Sequence, residues 1–596
     1  MSDTRAALRV AIIAGCAVAP AAGVRAQVLQ EAPMPGVIRD ATRAEYPVGT
    51  SFKQLVDPKP WPERLVTTNI GAATSQADFP PIFPTPGGLA AAAARSRFSV
   101  DGSGVRIGII SDAFNSLGGQ SAGVFSGDLP GPGNPFGNTL PVVNLNDLPA
   151  GQGIDEGRGM AELIHDLAPG AELYFHSGFT GSIGFAYQQL ANAGCDIIVD
   201  DLSALTGASF LDDNDAITCT NLANQGLLLF SSAGNRGRNS YEGVFNDSGE
   251  TNPMFPFSSP LHDFKLDAGV DTGLNVAVNP GGSVIAVLEW DDPFPSVGAP
   301  ASATLADFDL AVFTTGGTLV DSSTVGQGSP NGADPVEIVS FANTGAAQQQ
   351  FLIQIQNFSG GAGRLLKLTF FRSFINADDD FTFSPTVRGQ HLASGVFAVG
   401  AVAYDSTTVE GFSSRGPSTI LFDQSGNRLP GPEVRAKPEI AATDGTDTTF
   451  FGGGDFDGTG FPNFFGTSAA APHAAAVAAL AVEFTRRELG TTPDFAELNA
   501  AFQATSDDSF GTVDEVGVGL INAELLIESF AAGAPCSPVD FASPFGVISN
   551  TDVDEFVALF FANDPSVAAL ASPFNIVSNT DVDEFVRLFF LGCPSN

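Results

Sequence analysis

From residue 105 onward the hydrophobic positions fall into two alternating patterns. VRIGIIS (105–111), AELYFHS (171–177), CDIIVD (195–200) and LLLFSS (227–232) are short, nearly continuous apolar runs. Such runs mark strands buried on both faces, as in a parallel sheet. The intervening segments 156–167, 182–193 and 214–224 carry helical spacing. Strand and helix in alternation predict right-handed βαβ units, hence an α/β fold with helices on both faces of the sheet. Between 263 and 373 the texture changes to VIAVLEW, FDLAVF, VEIVSF and FLIQIQ, separated by Gly, Pro, Asn and Asp. That spacing predicts an antiparallel β-sandwich. The first pattern resumes at GVFAVGAVAY (395–404), and an Ala-rich helix follows over 467–485. The sandwich therefore reads as an insert in a loop of the α/β domain.

A third periodicity closes the chain. SPFGVISNTDVDEFVALFF starts at Ser543 and SPFNIVSNTDVDEFVRLFF at Ser572, each with a helix candidate preceded by a cap-like Ser-Asn-Thr. Cys536 and Cys593 bracket the pair, where a disulfide would staple a small helical module. At the other end, Arg5 and Arg9, a stretch of apolar and small residues and Val24-Arg25-Ala26 form an export signal over 1–26. Ile13-Ala14-Gly15-Cys16 resembles a lipobox, but the apolar run ahead of Cys16 is short, which favours ordinary secretion to the outside or to the cell surface. The expected organisation is a signal at 1–26 and a linker or degenerate propeptide at 27–95. The α/β domain then spans 96–262 and 376–530 around an insert at 263–375, with the repeat module at 536–596.

Charge narrows the partners. Acids outnumber bases 66 to 26, for a net charge of −40, which argues against nucleic acid or an anionic membrane surface. Beyond the signal, no segment approaches the ~20 apolar residues of a membrane span. Four cysteines remain after signal removal. Proximity pairs Cys195 with Cys219 and Cys536 with Cys593, and free buried thiols are the alternative for the first pair.

Three places carry chemistry. Asp112 follows a strand at the carboxyl edge of the sheet, where open α/β folds place ligands. Ser468, in FGTSAAAPHAAAVAAL, stands near a helix N-terminus, where free amides favour an oxyanion. Asn235, in SSAGNRG, lies just past a strand in a Gly-rich loop. Together these residues resemble the subtilisin family. GTSAAAPH is similar to its serine motif, with Ala469 in place of Met, SSAGN to its oxyanion loop, and FSSRGPS (412–418) and IGIISD to two further segments. The order Asp, base, Ser is also that family's. The resemblance implies a serine endopeptidase acting through an acyl-enzyme on protein or peptide substrates. The chemistry needs no cofactor; a structural calcium stays open, and the sequence shows no site for it.

The resemblance also demands a histidine opening a helix, and the aligned stretch DEGRGMAELIHDLAPG (155–170) has Glu156 there. His165 lies nine residues on, about 13 Å along the helix axis and on the far side. Of His176, His262, His391 and His473, the last occupies a structural position of the serine motif. Sedolisins share the fold and use a glutamate base in acid. They also place an aspartate four residues later, where this chain has Met160, and an aspartate at the oxyanion site, where it has Asn235. The expected catalytic set is Asp112, Glu156, Ser468 and Asn235, with Asp112 facing Glu156, or Asp155 and the pair Asp200-Asp201 contributing. Two close carboxylates share a proton, so acid-shifted activity is expected. The alternative is a catalytically inactive surface or adhesion protein on the same fold. The insert resembles jelly-roll modules of secreted peptidases. The terminal repeats resemble dockerin half-repeats, although Phe541, Ser543 and Phe545, like Leu570, Ser572 and Phe574, are poor calcium ligands. An anchoring partner is expected for them.

Overall fold

The computed structural model describes residues 71–531 except 82–84, 256–257, 266–268, 301–302, 328–332, 373–375 and 378–381, together with residues 12–13 and 556. Apart from residues 12–13 and 556, the export signal, the whole 27–70 segment, the repeats and Cys536–Cys593 lie outside the described residues.

Seven parallel strands form the central sheet: β1 (Arg106–Ser111), β2 (Val143–Asn146), β3 (Glu172–Ser177), β4 (Ile197–Asp200), β5 (Leu228–Ser232), β6 (Val396–Ala403) and β7 (Ile440–Asp444). Their spatial order is β7-β6-β5-β4-β1-β3-β2, so β1 lies between β3 and β4. Strand order reverses at β1, which makes its carboxyl end a topological switch point.

Both sheet faces are covered, as the uninterrupted apolar runs require. Ile107 and Ile109 join the core under α1 (Glu156–Leu167) and α4 (Thr467–Glu488), while Ile110 joins the opposite core under α2 (Ile183–Asn192) and α3 (Asn214–Ala223). Gly108 lets α2 approach, since a Cβ there would stand 2.9 Å from Leu190 Cδ1. Helix α1 buries Met160, Leu163, Ile164 and Leu167, the i, i+3, i+4, i+7 stripe of an amphipathic helix. Pro169 follows its C-cap at Ala168 and stops it. Helix α4 is buried from Thr467 through Thr485, and its run of alanines lets it pack closely on α1 and the sheet.

Two antiparallel sheets face each other across a separate core that includes Trp290, Phe308, Ile353 and Leu368. One orders its strands Val336–Ala342, Ser283–Trp290, Leu365–Phe371, Ser240–Val244. The other runs Leu319–Ser323, Asp307–Thr314, Gln349–Ser359, Leu274–Val278, Asn376–Ala377. The paired strands thus run from 240 to 377 and overshoot the 263–375 bounds at both ends. A buried ion pair, Arg388 with Glu289 at 3.2 Å, ties this sandwich to the α/β body. The described residues of 71–98, most of them within the 27–95 stretch read as a linker or degenerate propeptide, pack into the body. Ala77, Leu89, Ala94 and Phe98 enter its core, and Arg95 pairs with Asp78 beneath them. Cys195 and Cys219 form no disulfide with each other; both are free thiols filling the core under α2 and α3 as small hydrophobes.

Candidate active site

Asp112 follows β1 and Asp201 follows the neighbouring β4, so two buried carboxyl residues stand at the switch point. Asp112 Oδ2 accepts from the Ile154 amide at 2.5 Å and Oδ1 from the Glu156 amide at 2.9 Å. The carboxylate is thus bound to the backbone that delivers Glu156. Burial pushes its pKa up to about 6, against the pull of these amides.

Glu156 is the first residue of α1 and is 7 % exposed. Asp155 before it adopts the left-handed region, φ 58°, which turns the chain into the helix. The Asp155 carboxylate accepts from Ser116 N and Oγ at 2.8 and 2.9 Å, and from Arg158 Nη2 at 3.2 Å. Asp200 accepts from Tyr187 Oη at 2.6 Å, Leu202 N at 3.0 Å and Gln390 Nε2 at 3.1 Å. Both acids are committed to holding the local backbone and neighbouring side chains. Asp201 differs. Ser111 Oγ donates to its Oδ2 at 3.1 Å, while Oδ1 is buried without a hydrogen-bond partner. Burial holds the Asp201 carboxyl well above the ordinary range, and the charges of Glu156 and then Asp112 raise it further.

The serine turn is built from three constraints. Gly466 takes φ 126°, which favours glycine, and its amide donates to Asp444 Oδ2 at 2.8 Å. Thr467 and Ser468 then open α4. Asn235 Oδ1 accepts from Thr467 N at 2.9 Å and Thr467 Oγ1 at 2.8 Å, and Thr467 Oγ1 accepts from Gly234 N at 3.1 Å. Two donors on one atom fix that atom as oxygen, leaving Nδ2 as a donor beside the turn. A Cβ on Gly466 would stand 3.1 Å from this Nδ2. Pro472, four residues after Ser468, cannot donate to the Ser468 carbonyl, which loosens the helix just behind Ser468.

Every histidine is engaged elsewhere. The His473 ring bonds the Thr443 carbonyl at 2.8 Å and Ser75 Oγ at 2.7 Å, and burial lowers its pKa to about 4. His165 meets Asn138 at 3.2 Å, and burial lowers it to about 3. His176 bonds the Ser177 carbonyl, His262 lies against Tyr241 in the sandwich, and His391 is held between Ser203 and Ser231. The structure brings Asp112 into contact with Glu156, and Asn235 into contact with the serine turn. Glu156 and Ser468 open the two helices that pack together on one sheet face. The roles of Thr467 and Asp444 were not read from the sequence. Thr467 lies inside the serine motif, whereas nothing but its place at a strand end marks Asp444.

The sequence profile of the subtilase family of peptidases matches residues 150–519, more than half of the chain. The chain belongs to the subtilase family. The match covers Glu156, Asn235 and Ser468 and begins after Asp112. As a subtilase, the chain has the fold of a serine peptidase, a class whose substrates are proteins. Among solved structures, it is similar to the Clostridium perfringens CspB protease at 12 % identity and a TM-score of 0.46, covering 74 % of this chain and 97 % of that one. It is also similar to a lanthipeptide protease at 14 % identity and TM-score 0.35, covering 77 % and 99 %. MycP1 from the ESX-1 type VII secretion system matches at 14 % and 0.34, covering 79 % and 89 %. No curated protein matches. Among the described residues of this subtilase, no helix is long and apolar enough to cross a membrane. Nor do three or more His, Cys, Asp or Glu side chains there form a group able to hold a metal ion.

Proposed function

We propose that this subtilase is an exported endopeptidase in which Glu156 replaces histidine as the base for Ser468. Glu156 takes the proton of Ser468 Oγ as the Oγ–carbon bond forms at the scissile carbonyl. Asn235 Nδ2 and the Ser468 amide, one of the unpaired N–H groups of α4, hold the resulting oxyanion. Collapse breaks the carbon–nitrogen bond, and Glu156 returns the proton to the leaving amine. Water then repeats the cycle on the acyl-enzyme. Asp112 fixes the backbone that aims Glu156. The observation that carries this reading is the Thr467 lock on Asn235, which leaves an amide donor ready beside the serine turn.

A carboxylate base ionises near ~4.3, against ~6.5 for imidazole, so activity extends into acid. Export through residues 1–26 and anchoring through the 536–596 repeats complete the proposal from sequence alone. A pH series from about 2 to 9 on a denatured protein substrate tests it, with Ser468→Ala and Glu156→Gln as controls. Cleavage below neutrality that both substitutions abolish is expected. No Ser468-dependent cleavage at any pH leaves the inactive binding protein as the reading.

A further inference from the structure

Four aspartates lie at the ends of β1 and β4 and at the start of α1, and three of them have both oxygens occupied. Asp112 binds the Ile154 and Glu156 amides. Asp155 binds Ser116, Leu117 and Arg158. Asp200 binds Tyr187, Leu202 and Gln390. Asp201 alone in this group keeps a buried oxygen, Oδ1, without a partner, while Ser111 orients the other. A bare carboxylate oxygen in such a place is costly unless it carries a proton or meets a donor.

We propose, resting on Glu156 as the base, that Asp201 is a positioning residue whose buried Oδ1 carries a proton shared with the Glu156 carboxylate. After burial, the charges of Glu156 from α1, Asp112 from the end of β1 and Asp200 beside it on β4 all raise the Asp201 carboxyl. Three acids in one buried space cannot all ionise, and the two oxygens of Asp112 are already satisfied as acceptors. The proton therefore resides on Asp201, where it does two things. It leaves Glu156 as the anion that Ser468 needs, and it holds that carboxylate in one orientation. Asp112 thus steers the Glu156 backbone while Asp201 steers its side chain. When rising pH removes the proton, two anions face each other and Glu156 turns away. Asp201 sets the alkaline limit of activity.

Two substitutions separate positioning from bulk stability. Asp201→Asn is isosteric, and its amide can still accept from Ser111 and donate to Glu156 at every pH. It is expected to keep kcat within a few fold at the optimum and to move the alkaline limb upward. Asp201→Ala removes the donor and is expected to lower kcat about 100-fold with KM nearly unchanged. Thermal melts of both variants check that the fold survives. Unchanged kcat and pH limits in Asp201→Ala overturn the inference, as does a loss in Asp201→Asn equal to that in the alanine variant. Glu156→Gln separates the two readings. If it still cleaves, the glutamate base fails. If it is inactive while both Asp201 variants behave as wild type, only the role of Asp201 fails.

Discussion

The side-chain amide of Asn235 can serve an oxyanion in one of its two orientations, and Thr467 selects that one with two hydrogen bonds to Oδ1. Replacing Asn235 by Ala is expected to lower kcat by about 10²–10³ without a matching change in KM, as removal of one preorganised donor does. Thr467→Val keeps the backbone N–H but loses the hydroxyl, so a smaller loss is expected, and comparing kcat between the two variants checks the lock. At this scale the motifs made Asp112, Asn235 and Ser468 legible, because each occupies a short pattern with its own geometry. The same reading expected Asp112 to face Glu156, or Asp155 and the pair Asp200-Asp201 to contribute; the Asp112 oxygens accept from the backbone amides of Ile154 and Glu156. Which oxygen meets which donor depends on the return path of the loop at 147–155, and residue types do not encode that path. For the same reason, Asp201 did not stand out from its neighbour Asp200.

Helices α1 and α4 carry the two ends of the proposed proton transfer, so their packing sets its geometry. Leu163, fully buried between them and the sheet, is the place to test this. Leu163→Ala is expected to cost about 2–5 kcal/mol in denaturant unfolding and to lower kcat as well, since the helices shift to fill the space. Under α2 and α3, burial pushes the Cys195 thiol up to about 12 and the Cys219 thiol well above its ordinary value. A thiol reagent is expected to leave both untouched in the native protein and to modify both once it is unfolded. Protection that persists in denaturant without reductant would show a disulfide instead. Elements with continuous apolar runs, such as β1, β4, β5 and β6, were legible almost to the residue. Strand β2, VNLN, was not, because it is an exposed edge whose two apolar residues, Val143 and Leu145, form no continuous run. Strand Ser240–Val244 escaped for a related reason, since SYEGV has a mid-strand glycine and exposes Val244.

Across the whole molecule, the acid excess has a second meaning that composition did not reveal. Many of the acids are buried. Burial pushes Asp112 and Asp200 up to about 6, Glu162, Asp213 and Asp309 to about 7, and Glu337 to about 8. Each holds its proton to higher pH folded than unfolded, so its contribution is complete below the ordinary carboxylate range and is lost as pH rises through these values. Buried His165, His262 and His473, lowered to between about 3 and 4, act oppositely. Their contribution is present above ~6.5 and is lost as pH falls through their folded values. Above ~6.5 only the carboxyl group of effects operates, and repulsion within a chain of net charge −40 adds to it. Scanning calorimetry is therefore expected to give a higher Tm at pH 6 than at pH 8, and a Tm that rises over that interval would contradict this account.

The central sheet also dictates when the site comes into being. Strand β6 must zip against β5, Leu229 beside Val396, across the whole length of the sandwich. Such a distant pairing is slow to form, and it is faster once the intervening module has collapsed by itself. Asp112, Glu156 and Asn235 are synthesised before the sandwich and Ser468 after it, so a nascent chain holds the proposed base and oxyanion donor long before the proposed nucleophile. On the proposed mechanism, closing that seam is a topological safety catch, and a chain has no means of cutting its neighbours until the helix that carries Ser468 has docked.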